Sequence, residues 1–124
     1  MQPDHPRASN DLAYLLLEQG GNVDLAVSLA QVARAAAPDS PTTADTLAWA
    51  YYHKGAYGLA IGLLKDALKK SPQNPTLHYH LGLAYQKTGE RALARTHLER
   101  VLQINANFQR AGDVRRALQE LAGG

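Results

Sequence analysis

The chain has 124 residues, enough for one domain with a real core but short for two. Apolar residues make up 45% of it, most of them Ala and Leu, and β-branched residues are sparse, which leans the composition towards all-α. Lys plus Arg exceed Asp plus Glu by only 13 to 11, too few and too scattered to suggest nucleic acid or an anionic membrane as partner, and the absence of cysteine excludes disulfides, thiol catalysis and Cys-ligated zinc.

The chain opens with MQPDHPRASN, polar and proline-bearing, with no apolar signal-peptide core; residues 1–5 are expected to be disordered. No apolar run approaches the roughly 18 residues that span a bilayer, so the chain as given is expected to be soluble, its compartment undetermined. A first helix follows and closes at Gly20–Gly21. The next runs from about Asn22 to Ala36, and Pro38 punctuates the turn after it. Ser40–Pro41 and Asn74–Pro75 each pair a capping residue with proline at the first helical position; the helices they open close at Gly55 and Gly89, glycines suited to a left-handed cap. Partner helices are expected from about Ala56 to Lys70 and from Glu90 to Gln103.

These elements repeat. Pro41 and Pro75, Leu47 and Leu81, Ala48 and Gly82, Tyr51 and Tyr85, Gly55 and Gly89 all stand 34 residues apart, as do Ala60 and Ala94 and Leu64 and Leu98. An upstream copy keeps the spacing from Ala26 to Ala60 and from Ala33 to Ala67, while Leu12 to Leu47 and Ala13 to Ala48 are 35 apart. The extra residue falls naturally at the doubled Gly20–Gly21. Ala13, Ala48 and Gly82 are small because the two helices of a unit approach most closely there.

A period of 34, a helix–turn–helix unit and the pattern Leu, small, Tyr, Gly, Ala, aliphatic, Ala, Pro resemble the tetratricopeptide repeat (TPR). The second unit carries Leu47, Ala48, Tyr51, Gly55, Tyr57, Ala60, Leu64, Ala67 and Pro72; the third carries Leu81, Gly82, Tyr85, Gly89, Ala94 and Leu98. The first is weaker, with Leu16 where Tyr is usual. The resemblance covers residues 6–106 as units 6–40, 41–74 and 75–106, and implies an all-α, right-handed solenoid of three units. Within it, NDLAYLLLEQGGN is similar to C-terminal repeats of bacterial TPR proteins associated with exopolysaccharide export and protein sorting. A fourth unit would bury Arg115 and Arg116 in place of the Leu–small pair. Residues 107–122 are therefore expected to form a capping helix, started by Asn107 and packed through Ala111, Val114, Leu118 and Leu121.

The resemblance implies that the first helix of each unit lines a concave groove. Its binding candidates are Tyr14, Leu17, Asp45, Trp49, Tyr52, His53, Tyr79, Leu83, Gln86 and Lys87, with Tyr14, Trp49 and Leu83 in equivalent positions. Large amphipathic aromatics on such a surface are the types enriched at binding hot spots, so Trp49→Ala is expected to remove partner capture and leave the fold intact. The positions that in some TPR domains clamp acidic chaperone tails with Lys and Arg here hold Asn10, Tyr14, Thr46, Thr76 and His80, which carry no such clamp. The expected partner is a protein or peptide with hydrophobic anchors; neither nucleic acid nor membrane insertion is expected. The alternative is self-association or a place within a longer array, with Ala30, Ala33, Ala35, Ala36 and Ala37 accepting another helix. No catalytic motif appears, and His78 and His80, about 200° apart around one helix, cannot share a metal. Each histidine reads as a surface or groove polar residue; neither enzyme activity nor a cofactor is expected.

Overall fold

The computed structural model describes residues 6–123, so the expected disorder of residues 1–5 lies outside the described residues. Seven helices follow one another with no strand among the described residues: α1 (Pro6–Glu18), α2 (Val23–Ala36), α3 (Pro41–Lys54), α4 (Tyr57–Lys70), α5 (Pro75–Thr88), α6 (Arg91–Ile104) and α7 (Ala111–Gly123). α1, α3 and α5 each pack antiparallel on the next helix, α2 on α3 and α4 on α5 join the units, and α7 packs on α6. The first helices also touch one another, α1 on α3 and α3 on α5, and so form the inner layer. The result is an all-α helical repeat solenoid closed by α7.

Local chemistry sets the helix ends. The Asn74 side chain accepts from the amides of Thr76 and Leu77, Asn22 from Leu25 and Ser40 from Thr43, satisfying amides that have no partner within the helix. Gly55 and Gly89 adopt φ of 89° and 82°, the left-handed conformation that an L side chain resists, and their amides return to the last turn. Gly82 is needed for a different reason. A Cβ there would stand 2.7 Å from Leu98 Cγ, so only glycine lets α5 and α6 approach as they do.

The interior is continuous but has two centres. One gathers Leu64, Leu77, Leu81, Leu98 and Val101 with Val114 and Leu121 of α7; the other gathers Leu17, Ala26, Val27, Leu47 and Trp49. Tyr51, Tyr52, Leu63 and Leu83 pack against both. The last helix differs from expectation in its start. The Asn105 side chain accepts from the Asn107 amide and the Ala111 amide donates to Phe108 O, so residues 105–110 form a turn-rich loop and α7 begins at Ala111. The first α7 backbone bond runs from Val114 to Arg110 O, which puts Arg110 rather than Asn107 at the cap. Leu118 is half-buried and packs against the same core, with Ala117 buried beside it. Arg91 donates to Leu121 O and fastens the far end of α7. No helix among the described residues is long and apolar enough to cross a membrane.

Candidate functional site

The inner helices leave a concavity of about 480 Å³, lined by Tyr14, Leu17 and Glu18 of α1, Trp49 and His53 of α3, and Thr76, Tyr79 and His80 of α5. Its last wall comes from the α6–α7 loop, through Phe108, Gln109 and Arg110. Of the residues expected to line a groove, Tyr14, Leu17, Trp49, His53 and Tyr79 meet here. Asp45 opens onto an adjoining depression shared with Tyr14 and Thr76. Tyr52, Leu83, Gln86 and Lys87 lie apart from the main concavity: Tyr52 and Leu83 pack into the core, Gln86 donates to Glu120 of α7, and Lys87 is exposed.

Trp49 is buried, at 8% exposure, and belongs to the core around α1 and α3. Its ring lies between His80, with centroids 3.9 Å apart, and Tyr52 at 4.8 Å, both stacked. The fold therefore depends on this side chain, contrary to the expectation that truncating it would be structurally silent. The helix brings Tyr52 close because residues three apart share a face, while His80 arrives from α5.

Two histidines, His78 and His80, are buried rather than on the surface, although His80 still lines the concavity with the exposed His53. His80 is buried and its Nδ1 meets Asp45 Oδ1 at 2.7 Å, fixing the imidazole against Trp49. His78 Nε2–H donates to Pro72 O at 2.8 Å, which leaves its Nδ1 to accept from His97 Nδ1–H at 3.0 Å. No short sequence spacing announces these pairs, which join residues 35 and 19 apart. Among the described residues, no three His, Cys, Asp or Glu side chains gather in a way that could hold a metal ion.

Burial dominates the electrostatics. It pushes the Tyr14 hydroxyl up to about 12, helped by its hydrogen bond to Glu18, and Tyr52 likewise to about 12. Burial also holds the His53 and His97 imidazoles below the ordinary 6.5; His80 adds to the shift at His53 against the pull of Glu18, and His78 adds to it at His97. A depressed histidine favours the neutral form in the folded state. Its contribution to stability is complete above about 6.5 and is lost as the pH falls towards the folded value. Urea midpoints are therefore expected to decline between about pH 7 and pH 5, and His53→Gln with His97→Gln to flatten the decline. Equal slopes in the parent and the double variant would contradict this.

The groove mouth is held by a contact that no short-range pattern reveals. Arg110 Nη2 donates to Glu18 Oε2 at 2.6 Å, joining residues 92 apart in sequence. Phe108 stands beside Tyr79, ring centroids 5.6 Å apart. Sequence reasoning missed Phe108, Gln109 and Arg110 as groove residues because it assigned them to the capping helix. The single Phe of the chain, set in a polar stretch, was the available signal.

Comparison with known families covers most of the chain. Residues 1–41 and 75–108 match models described as tetratricopeptide repeat, and residues 49–89 match one described as TPR repeat. The chain belongs to the tetratricopeptide repeat family. TPR proteins serve as scaffolds for protein–protein interaction, and at that level this chain is an interaction module. Among solved structures it is similar to TTC0263, a thermophilic TPR protein of Thermus thermophilus, at 29% identity and TM-score 0.80, over 97% of this chain and 65% of that one. The first TPR of Spaghetti (RPAP3), bound to the HSP90 peptide SRMEEVD, aligns at 20% identity and TM-score 0.79 over 98% and 97% of the two chains. The Yersinia enterocolitica type III secretion translocator chaperone SycD aligns at 18% and 0.81 over 98% and 86%. The last two share the fold alone. No curated protein matches the chain by sequence.

Proposed function

We propose that this TPR domain captures an extended segment of a partner protein in its concave groove, without catalysis. The observation that supports this reading is the aromatic lining of the concavity, where Tyr14, Trp49, Tyr79 and Phe108 face one space from three inner helices and a loop. Tyr14 is the most accessible of them and supplies both an apolar ring and a hydroxyl. Apolar anchors on the partner would enter this space, while backbone groups could bond to Thr76 and Gln109 at its edges. The acidic HSP90 peptide held by the RPAP3 domain is not a model for the ligand, because Asn10, Tyr14, Thr46, Thr76 and His80 supply no Lys or Arg clamp.

A second reading, stacking onto another copy or a further repeat, has its own support. Leu12 is 39% exposed, whereas its register equivalents Leu47 and Leu81 are 6% and 1% exposed beneath the helix of the preceding unit. Leu15, at 50%, contrasts in the same way with the buried Ala50 and Ala84. The small residues of α2 support it less, since Ala30 and Ala33 are already buried within the chain.

Photo-crosslinking separates the two readings. With benzoylphenylalanine at position 14, 15 or 59 in turn, groove capture predicts partner crosslinks from position 14. Crosslinks between copies from position 15 alone would replace the groove by the uncovered edge. Partner crosslinks from position 59 alone, on the outer helix α4, would overturn both.

A further inference from the structure

We propose that the mouth of the groove is a subsite for an arginine side chain of the partner segment, and that Arg110 is its built-in occupant. The proposal rests on the groove reading and assigns the partner a chemistry: a cation placed close to an aromatic anchor.

The subsite is built from two helices and one loop. Glu18, at the end of α1, accepts from Arg110 Nη2 at 2.6 Å, and Asp113, in the first turn of α7, accepts from Nη1 at 3.4 Å. Tyr14 lines the same concavity one helical turn before Glu18. Two residues before Arg110, Phe108 packs beside Tyr79. The stretch Phe108-Gln109-Arg110 therefore lines the concavity with the Phe108 ring beside Tyr79 and the guanidinium on the Glu18 carboxylate, the pairing a bound segment of the same chemistry would make.

Charge decides which ligand this suits. Arg110 is the only Lys or Arg among the residues lining the concavity. If its side chain turns away, Glu18 is left facing the mouth without a cation, whereas Asp113 keeps Arg116 at 3.1 Å and Asp45 keeps His80. An incoming arginine would restore the lost pair and could lie against Tyr14 and Tyr79, whose ring faces attract cations. An incoming carboxylate would meet Glu18 or have to break its pair first.

Arg110 is also placed to give way. Its side chain is 45% exposed and leaves from a non-helical loop, and a pair so exposed is worth at most a few-fold in equilibrium. Being tethered, however, it competes at a high effective concentration with any free segment. The mouth is thus occupied by default and opens to a ligand of matching chemistry.

The test uses three peptides that copy residues 106–111 (Ac-ANFQRA-NH2) with Arg, Gln or Glu at the fifth position, titrated against the whole chain and followed by amide chemical shifts. The Arg peptide is expected to bind most tightly. Arg110→Gln should tighten it by up to about fivefold, leaving the Glu peptide the weakest. Glu18→Gln should erase the preference among the three. Equal binding of all three, or preference for the Glu peptide, would overturn the subsite and leave groove capture standing. If no peptide shifts groove amides in the Arg110→Gln protein, the subsite is likewise overturned, and crosslinking from position 14 then decides the groove itself.

Discussion

Trp49→Ala is expected to cost about 3 to 5 kcal/mol of unfolding free energy, a large share of what a domain of this size has. The ring is buried between His80 and Tyr52 and joins Leu17, Leu47 and Ala50 in the core, so truncation empties space that the surrounding helices cannot fully close. Trp49→Phe should behave differently. The indole N–H is buried with no acceptor among the described residues, and an unsatisfied donor of this kind costs about 1 to 3 kcal/mol. Phenylalanine gives up part of the apolar area but also removes that donor. The two effects oppose, and the net change is expected to stay within about 1 kcal/mol. Urea titration of the three proteins measures both. An Ala variant within about 1 kcal/mol of the parent would mean that Trp49 is not part of the core.

The second large effect sits where α5 crosses α6. Leu98→Ala removes one of the largest fully buried side chains and should cost about 2 to 5 kcal/mol. Gly82→Ala, a change that raises helix propensity, should nevertheless destabilise by about 1 to 3 kcal/mol, because its methyl group would stand 2.7 and 2.9 Å from two carbons of Leu98. The two changes share one space. In the Leu98→Ala background the methyl group at position 82 no longer meets the leucine branch, so Gly82→Ala should become neutral or stabilising. A double-mutant cycle would read this as a coupling of about 1 to 3 kcal/mol. Additive behaviour would mean that the helices move apart instead of clashing.

Most of the architecture was legible because a repeat states its own register. The 34-residue offset, the Ser–Pro and Asn–Pro helix starts and the glycine stops are local signals, and the helices of the three units begin and end within a residue or two of where they point. The small residue at 82 revealed a close approach, although not its tightness. The site was legible only in part. Assigning Tyr14, Trp49 and Tyr79 to the inner helices needed only periodicity, but whether a ring faces solvent or a neighbour depends on what arrives from another unit. Trp49 is covered by His80 from 31 positions along the chain, and Glu18 meets Arg110 from a loop that Asn105 and Asn107 fold inward. Neither helical periodicity nor a repeat consensus carries information about such meetings, since each is made by one pair and recurs in no other unit.

The contact between Glu18 and Arg110 gives the molecule a property that stacked repeats ordinarily lack. In a solenoid whose neighbours alone touch, folding can begin anywhere and spread, and the terminal units fray independently. Here the end of the first helix and the loop before the last one also meet, through one partly exposed ion pair that spans 92 residues of chain. Such a link closes a long loop and is expected to form late, after the local helix pairs are in place. A contact absent from the transition state acts on the rate of unfolding and leaves the rate of folding almost unchanged.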